Sequence, residues 1–336
     1  MCSHTPVSVQ PSAPGQDGCG GPSQLGCAMA ATTVAADYSE ATMDLQKLGV
    51  FGFIDSLSGP EIKAFARKVE RLGYSTLWFP EAFGRDPFAL AAHILTVTER
   101  LTVGTGIANV WKREAVTTIG AARTLAELFP DRFVLGLGIS HGPMMTQLGF
   151  TYAKPVSFMR EYLSKLRSAP YTAPRPKSDP PLVLAALLPK MLELAASETD
   201  GTFPVYITPE RTAAMRAAMG PNKWICVQQV AMLETDADKA RRAARAIVGF
   251  YLGLPNYLRS LSSIGFDESD FAKGGSDRLI DAMIAWGDEK TLRERIAAHY
   301  RAGATHVCVT LVPSQAHARD RSLRLDDRAL EVLAPL

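Results

Sequence analysis

Two residues in this chain carry side chains suited to moving or orienting protons and stand where short apolar runs stop: Glu81, directly after Trp78-Phe79-Pro80, and His141, directly after Ile139-Ser140. A carboxylate in such a place can orient a ring or a neighbouring backbone. An imidazole titrates near neutral pH and can give or take a proton. Glycines lie close by in Gly104-Thr105-Gly106 and at Gly136 and Gly138. Within a strand, glycine weakens pairing and marks a bulge or the close approach of another group. The G-x-G-x-x-G spacing of a dinucleotide loop is absent, so Gly136 and Gly138 are expected to leave room in an interior or beneath a flat ring. Each feature also has a plainer reading: Glu81 as a rim ion pair, the glycines as packing sites, His141 as a loop residue.

The elements that position these residues are legible as alternating apolar runs and helical segments. Strands are expected at 48–54, 75–80, 102–109, 133–140, 182–187, 202–206, 224–233 and 306–312. Ser58 and Glu61 form a capping pattern ahead of Ile62, Phe65, Val69 and Leu72 at helical spacing, and Gly73 stops that helix. Asp86-Pro87 opens the next helix and Pro155 a later one, with a Pro-rich loop over 169–181. Strands apolar on both faces and separated by helices imply a parallel sheet, and eight β-α units close into a (β/α)8 barrel. An open doubly wound sheet is the alternative. A helical insertion is expected over 237–286, long enough to cover the mouth of a barrel.

In a parallel barrel, function sits at the C-terminal strand ends. That rule selects Glu81, Gly106 to Asn109, Ser140-His141 and Leu187-Leu188. His93, His299 and His306 fall on helices or at a strand start and are expected to be structural. Trp111, Phe83, Tyr152, Tyr251 and Tyr257 are candidates either for a pocket or for packing.

Composition narrows the class. The chain has 336 residues, 47% hydrophobic and 21% charged, with a net charge of +2, which gives no general attraction for nucleic acid or for a membrane surface. No apolar run is long enough to span a bilayer. Cys226 and Cys308 lie in apolar runs, and neither a CxxC nor a Cys/His ligand spacing occurs, so no metal site or disulfide framework is expected. Residues 1–45 are rich in Ser, Pro, Gly, Gln, Ala and Thr and read as a disordered leader or a start placed too early. A single domain is expected over 46–336.

The segments LGVFGF, ERLGYSTLWFPEAFGRDPF, LTVGTGIANVWKRE, DRFVLGLGISHG, LAALLPKMLELAASETDGTFPVYITPE and AGATHVCVTLV, in that order, resemble the luciferase-like monooxygenase superfamily, and most of all its branch that uses the deazaflavin coenzyme F420. The resemblance implies a luciferase-like TIM barrel with a non-proline cis bond at Gly106-Ile107 serving as a cofactor backstop, and Asn109 near the ring. It further implies cofactor contacts from Gly138 and Ser140, and a phosphate held where relatives carry Gly-Gly-Pro and this chain has Leu187-Leu188-Pro189. His141 stands where the branch places an acidic residue, and Ala82 stands where several relatives place a histidine. Lys112 and Arg113 are the expected rim contacts for an acidic cofactor tail.

The implied activity is hydride transfer between coenzyme F420 and a small organic substrate, on CH-OH or similar donors or as a reductase, with His141 and Glu81 as the catalytic pair. An FMN-dependent monooxygenase and a non-catalytic flavin-binding protein remain the alternatives. A cytoplasmic homodimer completes the expectation.

Overall fold

The structure is a computed structural model and describes residues 48–315 and 325–335, together with Met43 and Leu45. The expected leader therefore lies, except for those two residues, outside the described part. The elements run β1 (Leu48–Phe51), α1 (Gly59–Arg71), β2 (Thr76–Phe79), α2 (Pro87–Val97), β3 (Thr102–Thr105), β4 (Ala108–Asn109), α3 (Ala115–Leu128), β5 (Phe133–Gly138), α4 (Gly142–Gln147) and α5 (Pro155–Ser168). There follow β6 (Leu182–Leu184), α6 (Pro189–Glu198), β7 (Gly201–Thr202), α7 (Pro209–Met219), β8 (Trp224–Leu233), α8 (Ala237–Leu252), α9 (Pro255–Ser262), α10 (Glu268–Phe271), α11 (Asp277–Met283), β9 (Ile284–Gly287), α12 (Glu289–Arg301), β10 (His306–Leu311) and α13 (Asp327–Val332).

All strand pairings are parallel, and β10 pairs with both β1 and β8, which closes the sheet. The closed ring contains eight strand positions, because β4 continues β3 past a bulge and pairs with the end of β5. The segment expected to be a helical insertion contains a strand. Ile284–Gly287 pairs with Val230–Leu233, on the edge of β8 that β7 uses only at Trp224 and Ile225. β7 is short because Pro204 follows it and has no N–H to donate; pairing resumes only as the bridge Val205–Gln228. β9 takes up the edge thus freed.

Local signals placed the helices. The Glu61 carboxylate accepts the Ser58 N–H at 2.7 Å, and the Asp86 side chain caps α2 through the N–H groups of Phe88 and Ala89. Gly73 leaves α1 at φ 84°. The barrel interior is filled by Phe51, Trp78, Val134, Val183, Phe203, Cys226 and Cys308, with Leu45 buried against them. Trp78 stacks on Phe203 at 4.5 Å, and its indole N–H reaches His306 Nε2 at 3.2 Å. Gly104 exists for this tryptophan: a Cβ there would lie 2.2 Å from the Trp78 ring.

The outer layer holds a buried polar relay around His299. His299 on α12 lies 2.9 Å from the Thr212 hydroxyl and 2.8 Å from Gln229 Oε1. Burial, with help from the Arg295 charge, pulls its pKa down to about 4.

Two outcomes follow. Gly104→Ala should lose roughly 3 kcal/mol by overpacking the tryptophan, read as a lower urea midpoint at unchanged slope. The unfolded chain protonates His299 near pH 6.5, whereas the native state refuses the proton until about pH 4. Stability should therefore fall, by up to roughly 3 kcal/mol, as pH is lowered through that window. His299→Gln should show a shallower fall in urea titrations at pH 7, 6 and 5.

Candidate active site

Asn109 ends β4, and Glu81, His141, Leu187 and Tyr206 follow the C-terminal ends of their strands, so all five stand at one mouth. The side chain of Glu81 is almost fully buried, at 5% exposure, and is wholly engaged. Its carboxylate takes a two-pronged contact from Arg113, stands 3.5 Å from Lys112 Nζ, and accepts the Asn109 N–H at 2.8 Å. Its own N–H donates to the Ile107 carbonyl at 3.1 Å. Glu81 thus grips both sides of the bulge between β3 and β4. Arg113 also binds Asp86 at 3.0 Å, and Lys112 donates to the Ala82 carbonyl. The two cations expected to meet an acidic cofactor tail are instead committed to carboxylates and a carbonyl of the chain itself.

The Gly106-Ile107 bond is cis. Around it the side chain of Thr105 stands in for missing ladder pairs, donating to the Gly136 carbonyl at 2.7 Å and accepting the Gly136 N–H at 2.9 Å. Gly136 permits this approach, since a Cβ there would meet the Thr105 carbonyl oxygen at 1.9 Å. Gly138 makes room for a side chain of the chain itself, with Ile107 Cγ1 2.5 Å from where its Cβ would be. Ile107 therefore caps the aromatic interior and presents the half-buried floor of the mouth. Asn109 is buried, and its amide is used locally: Oδ1 accepts the Trp111 N–H at 3.0 Å and Nδ2 approaches Met145 Sδ at 3.2 Å.

Trp111 links this bulge to the next strand end. Its indole N–H donates to the Ile139 carbonyl at 3.0 Å, and its ring stacks on Phe158 at 3.8 Å. Ser140 then turns the chain with a left-handed φ of 53°, and His141 begins α4. The His141 Nδ1 is buried and has no hydrogen-bond partner among the described residues. Burial lowers its pKa below the usual 6.5, which keeps the imidazole neutral at pH 7. Tyr152 packs over Gly142, and the Tyr257 ring from α9 stands 5.7 Å from the His141 ring.

The insertion does reach the mouth. Tyr206, Tyr251 and Tyr257 cluster there, whereas Phe83 is 54% exposed.

Leu188 is the N-cap of α6 and offers no side-chain cap, and Pro189 has no N–H. The Met191 and Leu192 N–H groups both donate to the Leu188 carbonyl, at 3.1 and 3.0 Å, so the Lys190 N–H is the donor of that first turn without a backbone partner among the described residues. Arg211, on α7, was not foreseen. It donates to the Leu187 carbonyl, approaches the Ser263 hydroxyl at 3.5 Å, and leaves a buried Nε without a partner among the described residues. No carboxylate among the described residues pairs with it. In the sequence Arg211 reads only as part of the T-P-E-R start of a helix, and nothing there reveals where its guanidinium goes. A shallow cleft bordered by Ala126, Phe133, Asp179 and Pro181 lies at the opposite, N-terminal end of β5 and β6.

A closed parallel barrel with a cis bulge on its third strand and its polar groups gathered at one mouth defines a luciferase-like fold. The chain belongs to the luciferase-like monooxygenase family, whose model matches residues 47–306. It is 25% identical to the 5,10-methylenetetrahydromethanopterin reductase of Archaeoglobus fulgidus, over 76% of this chain and 90% of that one. It is also 25% identical to a putative coenzyme F420-dependent oxidoreductase of Mycobacterium tuberculosis, over 81% and 96%. Among solved structures, an F420-dependent secondary alcohol dehydrogenase superposes with a TM-score of 0.65 at 15% identity, covering 86% of this chain and 96% of the other. An FMN-bound type II Baeyer–Villiger monooxygenase of Pseudomonas putida superposes at 0.63 and 13%, with the same coverage. At those identities the structures speak to the fold alone.

Glu81→Gln keeps the shape and removes the charge facing two cations. It should cost about 3 kcal/mol of stability, the usual loss when one partner of a buried pair is removed. Hydrogen exchange at the Asn109 amide should accelerate more than at amides of the N-terminal strand ends.

Proposed function

We propose that this chain is an oxidoreductase that exchanges hydride between the deazaflavin coenzyme F420 and a small organic substrate at the C-terminal mouth of the barrel. The observation that carries the reading is a pair of buried nitrogens without partners among the described residues, His141 Nδ1 after β5 and Arg211 Nε beside the end of the neighbouring β6, at a mouth floored by Ile107. Unsatisfied buried polar groups are costly, and a bound polar ligand is a ready explanation for two of them at a single opening.

The residues present fit the coenzyme. Ile107 and the bulge offer an apolar floor to a flat ring. The Lys190 N–H at the start of α6 and the Arg211 guanidinium offer a backbone donor and a positive charge to a phosphate, in place of the glycine turn that relatives use. When bound, the coenzyme supplies the hydride-exchanging carbon. The chain supplies position and the proton: Glu81 holds the floor in place, and neutral His141 serves as proton acceptor or donor beside it.

Support for a deazaflavin over FMN comes from the full-length relatives, one of them described as F420-dependent. FMN is the second reading, favoured by the FMN-bound neighbour of the same fold. No described helix is long and apolar enough to cross a membrane. The proposal retains a cytoplasmic location and a homodimer, the second of which gel filtration checks.

Fluorescence titration should give tighter binding for F420 than for FMN. Arg211→Gln should weaken F420 about tenfold or more, since a charge-assisted contact contributes about 1.5–3 kcal/mol; Lys112→Gln should change it little. Tighter FMN binding, or an Arg211 variant that binds normally, contradicts the assignment. With a turned-over substrate in hand, His141→Ala should slow hydride transfer by at least about 100-fold while leaving coenzyme affinity nearly intact.

A further inference from the structure

Three hydrogen bonds in series run from the carboxylate under the bulge to the turn that carries His141. The Glu81 carboxylate accepts the Asn109 N–H at 2.8 Å, Asn109 Oδ1 accepts the Trp111 N–H at 3.0 Å, and the Trp111 indole N–H donates to the Ile139 carbonyl at 3.0 Å. The last of these crosses from one strand end to the next. β5 stops at Gly138, so the Ile139 carbonyl lies in the turn, beyond the strand ladder. Other contacts between bulge and turn are weaker or fall short. Asn109 Nδ2 approaches Met145 Sδ on α4, but a thioether is a weak acceptor. The Val110 N–H meets the Gly138 carbonyl, one residue too early.

Two further features give the indole a role beyond packing. Its ring lies flat on Phe158 of α5, with centroids 3.8 Å apart and planes 6° from parallel, so the side chain has little freedom to tilt. On the far side of the linkage Ser140 holds a left-handed φ of 53°. A residue other than glycine stays in that region only while its surroundings enforce it. The turn therefore has two natural arrangements. In one, Ser140 is left-handed and the imidazole is seated 5.7 Å from the Tyr257 ring. In the other, Ser140 relaxes and the imidazole turns towards water.

We propose that Trp111 is the positioning residue of this mouth: it ties the Ser140 turn, and with it the place of the His141 ring, to the geometry of the β3–β4 bulge. Trp111 itself need touch neither coenzyme nor reacting atoms. A ligand that settles on Ile107 stiffens the bulge and so holds the proton-carrying ring in its seat. Taking that ligand to be the coenzyme rests on the preceding reading. Coupling of this kind acts in both directions and needs an element with two discrete arrangements, which the turn provides.

The test is a pH titration of the full chain with ring-labelled histidine, the His141 signal being assigned by its loss in His141→Gln. Burial alone holds the seated imidazole below the ordinary 6.5, with no charged side chain contributing. The titratable groups beside it are the phenols of Tyr257 and of Tyr152, which packs over Gly142, and both are neutral at pH 7. Trp111→Phe keeps an aromatic ring over Phe158 and removes the N–H. It should move the His141 pKa up towards 6.5 and speed exchange of the Met145 amide, which donates to the His141 carbonyl at 3.0 Å, roughly twofold to tenfold. Glu81→Gln, or Asn109→Ala should that variant not fold, should move the pKa the same way. Loss of a negative charge acting through space would lower it, so the upward sign in Glu81→Gln identifies the linkage. The double variant should go no further than Trp111→Phe alone. Tyr152→Phe, a change beside the ring but outside the linkage, should leave the pKa in place. Saturating F420 should slow Met145 exchange in the wild type; in Trp111→Phe it should still bind and slow exchange at 106–109 without slowing Met145.

A His141 pKa in Trp111→Phe equal to that of the wild type overturns the proposal. So do a downward shift in Glu81→Gln, additive shifts in the double variant, an equal shift in Tyr152→Phe, or F420 protection of Met145 that survives in Trp111→Phe. Failure of F420 to bind the wild type removes the coenzyme reading, and the titrations without coenzyme then decide the linkage by themselves.

Discussion

The contact on which the mouth depends is the Glu81 carboxylate. It sits almost without solvent between Arg113 and Lys112 and holds the Asn109 N–H, while its own N–H holds the Ile107 carbonyl. A strand that steps outward loses ladder hydrogen bonds, and buried backbone groups must be paired elsewhere. Here one side chain from the neighbouring strand and the hydroxyl of Thr105 do that pairing. Once the bulge is fixed, Ile107 closes the aromatic interior, and Trp111 can reach across to the Ile139 carbonyl and hold the turn that carries His141.

The charges of this mouth are sorted by that arrangement. Positive and negative groups on the β2–β3 side cancel locally, so that side offers a floor without a net ionic demand. The β6–β7 side keeps one guanidinium, that of Arg211, with a carbonyl and a hydroxyl as its neighbours and no carboxylate. Between them lie a neutral imidazole and three phenols. Such a distribution suits a ligand with an apolar ring at one end and an anionic group at the other.

Much of the scaffold was legible because it is written in local chemistry. Ser58 with Glu61, Asp86 with Pro87, and Gly73 report helix ends through interactions only a few residues long. The strand runs were apolar on both faces, as a covered parallel sheet requires. The expected glycine bulge was found at Gly106, yet the tenants of the glycine spaces are Trp78 and Ile107, a matter of long-range packing that no local pattern reports. β9 was hidden because Ile284 to Gly287 directly continues α11 and is a strand only by virtue of the edge of β8 that Pro204 leaves open. Lys112 and Arg113 read as free rim cations because their partners, Glu81 and Asp86, lie some thirty residues away, beyond the end of the neighbouring strand β2. Arg211 was invisible as a site residue for a related reason: a buried nitrogen without a partner among the described residues is a property of the assembled fold.

The central claim is that a coenzyme lies across the C-terminal mouth, from the β3–β4 bulge to the start of α6. Amide hydrogen exchange with and without saturating F420 tests it most directly. Protection is predicted to rise at 106–109, 139–142 and 188–191, and to stay unchanged at the cleft around Phe133 and Pro181 on the other end of the barrel. Protection confined to that opposite cleft, or none at any of the three strand ends under conditions where F420 is bound, would contradict the account.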